Sequence, residues 1–147
     1  MMPVRPGVTV TADGIDVAVH APDAEAVAIC LFDAADRETA RVRLPRRTGP
    51  VHHGHIPGVA AGTRYGLRAF GPWDPANGHR FNPAKLLIDP WATAIDRPFR
   101  LHAEMFDHES PRPDDTAPFM PKAIIGTPAA TDQHRRSIDR SPDRFPR

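Results

Sequence analysis

Proline is the residue that most restricts how this chain can fold. It occurs 18 times in 147 residues, more than twice its usual share of roughly 5%. Proline lacks a backbone N–H and fixes its own φ, so it breaks helix interiors and favours rigid turns. The frequency therefore argues against a helical bundle and favours short extended segments separated by turns.

Short segments with alternating apolar residues fill the first seventy positions. Ile15, Val17 and Val19 fall on one side of an extended segment, directly after an Asp-Gly pair typical of a hairpin turn. In residues 27–32 both sides are apolar, with Cys30 and Phe32 opposite Val27, Ile29 and Leu31, which predicts a strand buried on both faces. Further strands are predicted at 8–11, 41–44, 51–56 and 64–70, and a last one at 122–125.

This spacing predicts an all-β fold, an immunoglobulin-like antiparallel β-sandwich with an irregular C-terminal extension. Residues 45–50 and 71–75 read as loops, and residues 107–118 as an exposed loop with little to bury. Tyr65 alternates with Leu67 and is expected in the core. Residues 127–147 contain five arginines and three prolines and predict a disordered basic tail.

Charge and cysteine content exclude several function classes. A net charge of +1 provides no global field for nucleic acid or an anionic membrane surface. No run approaches the roughly 20 apolar residues of a membrane helix, and the first residues lack the apolar core of a signal peptide. The single Cys30 cannot form an internal disulfide, which suits a reducing, cytoplasmic location and an inert buried thiol.

The stretch from 65 to 92 is the most distinctive part of the sequence. It reads YGLRAFGPWDP, then GHRFNPAKLLIDPWA from Gly78, and it is accompanied by VAVHAP at 17–22, HGHIPG at 53–58 and APFMPK at 117–122. Over residues 5–125 this ordered series resembles the N-terminal domain of bacterial glycogen debranching enzymes and isoamylases, carbohydrate-binding module family 48.

The resemblance implies a sandwich that precedes a catalytic (β/α)8 barrel hydrolysing α-1,6 branch linkages of glycogen or limit dextrin. A barrel needs about 250 residues, and only 22 follow Ile125. The paired carboxylates of a glycosidase belong in this family to barrel strands that the chain lacks. We therefore expect a non-catalytic module with no catalytic residues and no cofactor. The expected divisions are the sandwich at 1–95, a linker toward an absent barrel at 96–126, and the tail at 127–147.

Aromatic side chains are the usual platforms for sugars, because ring CH groups stack on the π face while polar groups fix the hydroxyls. Trp73 is a candidate for glucan contact, although contact with the barrel is favoured by the resemblance. Trp91 is expected mainly to pack. A polar cluster lies between the two tryptophans in sequence and consists of Asp74, Asn77, His79, Arg80 and Asn82. Its side chains could bind sugar hydroxyls or the barrel surface, or they could form turns with Asx hydrogen bonds. We favour the structural interpretation as turns.

The histidines at 52, 53 and 55 are the remaining candidates. Relatives often carry Trp at the position of His52, so this position is a candidate sugar contact that is weakened by the change to His. Strand alternation puts His53 and His55 on one face and His52 on the other, so no zinc site is expected. Asp107, Glu109, Asp114 and Asp115 are expected to be solvated, with no calcium cage.

Three functions remain open. The chain is interpreted first as the α-glucan-associated module of a debranching enzyme, present without its barrel. The second hypothesis is a free-standing glycogen-binding module, which exposed aromatics on one face would favour. The third is an orphan folding unit without binding activity, which an open apolar patch around Trp73, Phe81 and Leu86–Ile88 would favour.

Overall fold

The computed structural model describes residues 5–100, 113 and 115–126. Two four-stranded antiparallel sheets dominate this part of the chain, and it contains no helix long and apolar enough to cross a bilayer. The first sheet has the order β1-β2-β6-β5, with β1 at Gly7–Val10, β2 at Gly14–His20, β5 at Arg46–Thr48 and β6 at Val51–Pro57. The second has the order β10-β7-β3-β4, with β3 at Ala26–Phe32, β4 at Glu38–Arg43, β7 at Arg64–Phe70 and β10 at Ala123–Ile124.

A short third sheet follows β7. It pairs β8, Trp73–Asp74, with β9, His79–Arg80, across a 3-10 turn at Pro75–Asn77. The architecture confirms the predicted all-β, immunoglobulin-like sandwich. Two segments predicted as loops contain strands instead: β5 lies within 45–50 and β8 lies within 71–75. Both strands are only two or three residues long and pair across tight turns, so alternation was too short to reveal them.

The core between the sheets is formed by the side chains that alternation assigned to it. Ile15 and Val17 of β2 pack with Ile29 of β3 and Leu67 of β7, and Val19 is packed at the margin. All seven residues of β3 are buried, which confirms the strand predicted to be covered on both faces. Tyr65 is also buried, as predicted.

The outer face of the second sheet is covered by the chain's own later segments. Cys30 and Phe32 of β3 form a second apolar cluster with Leu86, Ala117 and Met120. A Cβ atom added to Gly66 of β7 would lie 2.6 Å from Leu86 Cγ, so glycine is required there for Leu86 to reach the sheet. Cys30 is buried as predicted, and burial followed by the Glu38 charge raises the pKa of its thiol to about 11.

This packing corrects one expectation about the C-terminal part and bears on a second. Thr116 and Ala117, predicted in an exposed loop, are buried. Beyond residue 95, the predicted end of the sandwich, β10 pairs with β7 and Ala123 lies in the core. The rest of the predicted loop (except Pro113, Asp115 and Pro118), and the predicted tail at 127–147, lie outside the described residues.

Candidate functional site

The β8–β9 hairpin contains four of the candidate residues: Trp73, Asp74, His79 and Arg80. Proline starts the 3-10 turn, and Gly78 ends it with a φ of 81°, a conformation that glycine adopts without strain. The Gly78 N–H donates to the Pro75 carbonyl over 3.1 Å. The resulting register sets Trp73 directly opposite Arg80 and Asp74 opposite His79.

Directly opposed residues of an antiparallel pair have Cβ atoms about 5 Å apart, so the Trp73 indole and the Arg80 side chain share one face of the hairpin. Trp73 is half-buried and Arg80 is exposed. The other face carries Asp74 and His79, and the His79 ring lies 6.3 Å from the Phe81 ring in a stacked arrangement. The hairpin therefore presents an indole with cationic and hydroxyl-binding groups at its sides.

Part of the polar cluster is used by the turns themselves. Asn77 Nδ2 donates to Asp74 Oδ2 over 2.6 Å, and Asn82 Oδ1 accepts from the Ala84 N–H over 3.0 Å. The Asn82 contact is an Asx-type hydrogen bond of the predicted kind, whereas the Asn77 contact joins two side chains across the 3-10 turn. The Asn77 contact also holds Asp74 in a fixed orientation at the hairpin.

Trp91 lies on a separate turn that a buried carboxylate organises. Asp89 is 4% exposed; its Oδ2 accepts from the Tyr65 hydroxyl over 2.7 Å and its Oδ1 from the Trp91 N–H over 2.9 Å. Burial, and secondarily the Asp89 charge, raises the pKa of Tyr65 well above its ordinary value. The Trp91 side chain is 59% exposed, so it is not part of the core of the module. Asp89 followed by Pro90 marked this turn in the sequence, but nothing local showed that the indole would be left outside.

Four large apolar residues are exposed in the described part of the chain: Leu87, Trp91, Ile95 and Phe99. Trp91 lies beside β1, because a Cβ atom added to Gly7 would be 2.9 Å from the Trp91 Cβ. The Leu87 backbone pairs with Leu67 of β7, and Ile95 pairs with Ala123 of β10. Leu87 is 45% exposed and Ile95 43%. We refer to Leu87, Trp91 and Ile95 as the apolar strip. The open patch expected around Leu86–Ile88 is therefore only partly present, since Leu86 is buried.

His52 lies apart from these residues. It is 3% exposed, and its Nε2 is 3.0 Å from the Ala21 carbonyl oxygen. A buried ring cannot serve as a sugar platform, so His52 is corrected to an interior residue. His53 and His55 lie on the opposite face of β6, as the alternation predicted.

The family model for carbohydrate-binding module 48, the isoamylase N-terminal domain, matches residues 6–92. The chain belongs to carbohydrate-binding module family 48. It is similar to glycogen debranching enzymes of Cronobacter sakazakii, with 45% identity over 125 residues, and of Salmonella typhi, with 41% over 120. These matches cover 82% and 81% of this chain but 18% of each relative, so the chain spans about a fifth of their length.

Solved structures agree at the level of the fold. The catalytic module of the glycogen-degrading pneumococcal virulence factor SpuA matches 88% of this chain and 17% of its own, with a TM-score of 0.61 and 16% identity. The Group B Streptococcus pullulanase SAP in complex with maltotetraose matches 87% of this chain and 15% of its own, with a TM-score of 0.57 and 18% identity. This family 48 chain corresponds to the module alone and not to the catalytic part of these relatives.

Proposed function

We propose that this chain contacts α-glucan through the β8–β9 hairpin, as the non-catalytic module of a glycogen-debranching protein. The observation that carries the proposal is the register of Trp73 opposite Arg80. A partly exposed indole offers a flat apolar surface to the CH groups of a pyranose ring, and the neighbouring guanidinium can donate to its hydroxyls. Asp74 and His79 add an acceptor and a second polar ring at the edge of the same hairpin.

Binding at this hairpin is expected to be weak. It offers a single indole, and the position where relatives often carry another aromatic is occupied by the buried His52. One platform with few polar contacts buries little of a sugar chain, whereas tight small-molecule sites enclose most of their ligand. The role that fits such a contact is to hold a long, multivalent polymer near a catalytic part, because many weak contacts add along a polymer.

A second role is favoured by the apolar strip. All three residues of the strip are exposed: Leu87 and Ile95 pair with β7 and β10, and Trp91 lies beside Gly7 of β1. Exposed apolar patches mark interaction surfaces, and the relatives are about five times longer than this chain. We propose that the strip packs against the catalytic part of a longer protein that hydrolyses α-1,6 branch linkages. A cytoplasmic location would suit the free, buried Cys30.

Affinity electrophoresis of the full chain in gels with and without glycogen tests the glucan proposal. We expect retardation in glycogen that Trp73→Ala abolishes and that Arg80→Gln weakens. Trp91→Ala is the matched control, because it removes an exposed indole outside the hairpin, and it should leave the retardation unchanged. Circular dichroism confirms that each variant is folded.

Two results would contradict the proposal. Retardation that is lost with Trp91→Ala and kept with Trp73→Ala would move the platform to the apolar strip. A parent chain that migrates equally in both gels would remove glucan binding and leave docking as the role of the module.

A further inference from the structure

The two outer faces of the sandwich differ in what covers them. The outer face of the second sheet is closed by the segments around Leu86 and Met120. The outer face of the first sheet carries an open groove of about 500 Å³ instead. Its lining includes Arg5, Thr9, Asp16, Ala18, Arg46 and His53. This groove lies outside the β8–β9 hairpin and outside the apolar strip.

The strand register explains why this face is concave. Gly7, Ala18, His53 and Arg46 form one row across the four strands β1, β2, β6 and β5. The small side chain of Ala18 forms a shallow centre of the row, and the long side chain of Arg46 lies at the β5 edge. Arg5 precedes β1 at the other edge. Three interstrand spacings separate the edge strands β1 and β5 by about 14 Å. An arginine side chain at each edge can extend over part of this width.

The acidic groups beside the groove are paired with a histidine. His55 Nδ1 is 2.8 Å from Asp16 Oδ1, and His55 Nε2 is 3.2 Å from Asp13 Oδ1. The His53 Nε2 is bound to the Thr48 hydroxyl at 2.8 Å. By contrast, neither Arg5 nor Arg46 has an ion pair or hydrogen bond with any residue that the structure describes. The groove therefore holds two guanidinium groups that have no partner among the described residues, while its lining carboxylate, Asp16, is engaged by His55.

Two guanidinium groups that line one groove match a particular ligand chemistry. Guanidinium binds phosphate through two parallel hydrogen bonds and remains charged at all physiological pH values. A neutral glucan can accept hydrogen bonds from a guanidinium, but it has no negative charge to pair with two positive ones. We propose that the groove of the first sheet binds a phosphate monoester carried by a sugar, with Arg5 and Arg46 on the phosphoryl oxygens and the Thr9 hydroxyl and His53 ring beside the sugar. This site is independent of the glucan contact proposed for the hairpin.

Titration of the 15N-labelled full chain followed by amide chemical shifts tests the proposal. The probes are glucose 6-phosphate, inorganic phosphate and glucose, at constant ionic strength. We expect both phosphates to shift the amides of Thr9, Ala18 and His53 in a saturable way, with tighter binding for glucose 6-phosphate. Glucose alone should leave them unshifted. Equal binding of both phosphates would assign the site to free phosphate, and would overturn the part of the proposal that involves the sugar.

Variants identify the groups responsible. Arg46→Gln and Arg5→Gln should each weaken binding of glucose 6-phosphate about tenfold, because each removes a charge-assisted hydrogen bond. Arg43→Gln is the control, because it removes the same charge from an exposed arginine on β4 of the second sheet. No saturable shift with either phosphate, shifts of the same size with glucose, or an equal loss in Arg43→Gln would each overturn the proposal.

Discussion

The guanidinium of Arg68 on β7 donates to Oδ1 of Asp115 across 3.0 Å, joining residues 47 positions apart. Arg68 is 1% exposed although its side chain lies on the outer side of the sheet. It also donates to the Pro83 carbonyl at 2.9 Å and to Glu38 Oε1 at 3.2 Å. One buried cation therefore connects β4, the segment before Leu86 and the segment after residue 115.

Loss of this cation should destabilise the module. Arg68→Met keeps much of the apolar stem but leaves the Pro83 carbonyl without this hydrogen bond. Because Asp115 and Glu38 are partly exposed and can regain water, we expect a loss of about 2 kcal/mol in the free energy of unfolding, below the 3–5 kcal/mol of a fully buried pair. Urea denaturation measures it. Asp115→Asn, which keeps an acceptor oxygen, should cost less; an equal cost would contradict this account.

Lys122 is a second buried cation with the same architectural role. Its Nζ donates to Asp36 Oδ2 at 3.0 Å and to the carbonyls of Ala117 and Met120, and it lies 5.0 Å from the Phe32 ring centroid. Lys122→Ala removes these contacts and opens a cavity. We expect a loss of about 3 kcal/mol in urea unfolding.

The control for this variant is Lys85→Ala, which changes the only other lysine in the chain. Lys85 is half-buried rather than fully buried, so its loss should cost less than that of Lys122. Similar losses for the two variants would show that the buried contacts of Lys122 contribute little net stability.

The main strands could be predicted from the sequence because each carries its own periodicity. The alternation of Ile15 and Val17 and the two-sided apolar run around Ile29 depend on neighbours in the chain, and the structure confirms both. The short β5 and β8 could not be predicted, since two or three residues do not establish a period. Trp73 is a candidate because it is an aromatic residue in a Gly-Pro loop, but its position opposite Arg80 depends on the turn between them.

The buried charges could not be predicted from local pattern alone. Arg68 and Lys122 look like surface residues, and their acidic partners lie 30 to 86 positions away in sequence. One indirect signal existed. Cys30 and Phe32 were predicted to be buried on the outer side of β3, so some segment had to cover that face and would cover Arg68 with it. That segment includes Thr116, placed instead in an exposed loop because its sequence is polar.

His55 should give the stability of the module a distinct pH dependence. The hydrogen bond with Asp16 and then the charge of Asp13 outweigh the effect of burial and raise the pKa of His55 above 6.5. A raised pKa means that protonated His55 stabilises the fold fully below about pH 6.5, and that this contribution is lost as pH rises through the folded-state pKa. Urea unfolding from pH 6 to 9 should show the decline.

His55→Gln should remove that part of the pH dependence, whereas His53→Gln should retain it, because the His53 ring bonds to the neutral Thr48 hydroxyl. An NMR titration provides a second measurement: Asp16→Asn should lower the pKa of His55. A His55 pKa that is unchanged by this substitution would contradict the assignment of the hydrogen bond as the main cause.

The end of the folded module can be located with Cys30 as the reporter. The thiol is buried under Leu86, Ala117 and Met120, and burial raises its pKa to about 11, so it should react with Ellman's reagent at pH 8 only when the module opens. We expect a chain ending at residue 126 to protect Cys30 as well as the full chain does. A chain ending at residue 95 loses β10 and the cover contributed by Met120, and should react at the rate of the urea-unfolded protein. Full protection in the shorter chain would mean that residues 96–126 are dispensable for the fold and would support residue 95 as its boundary.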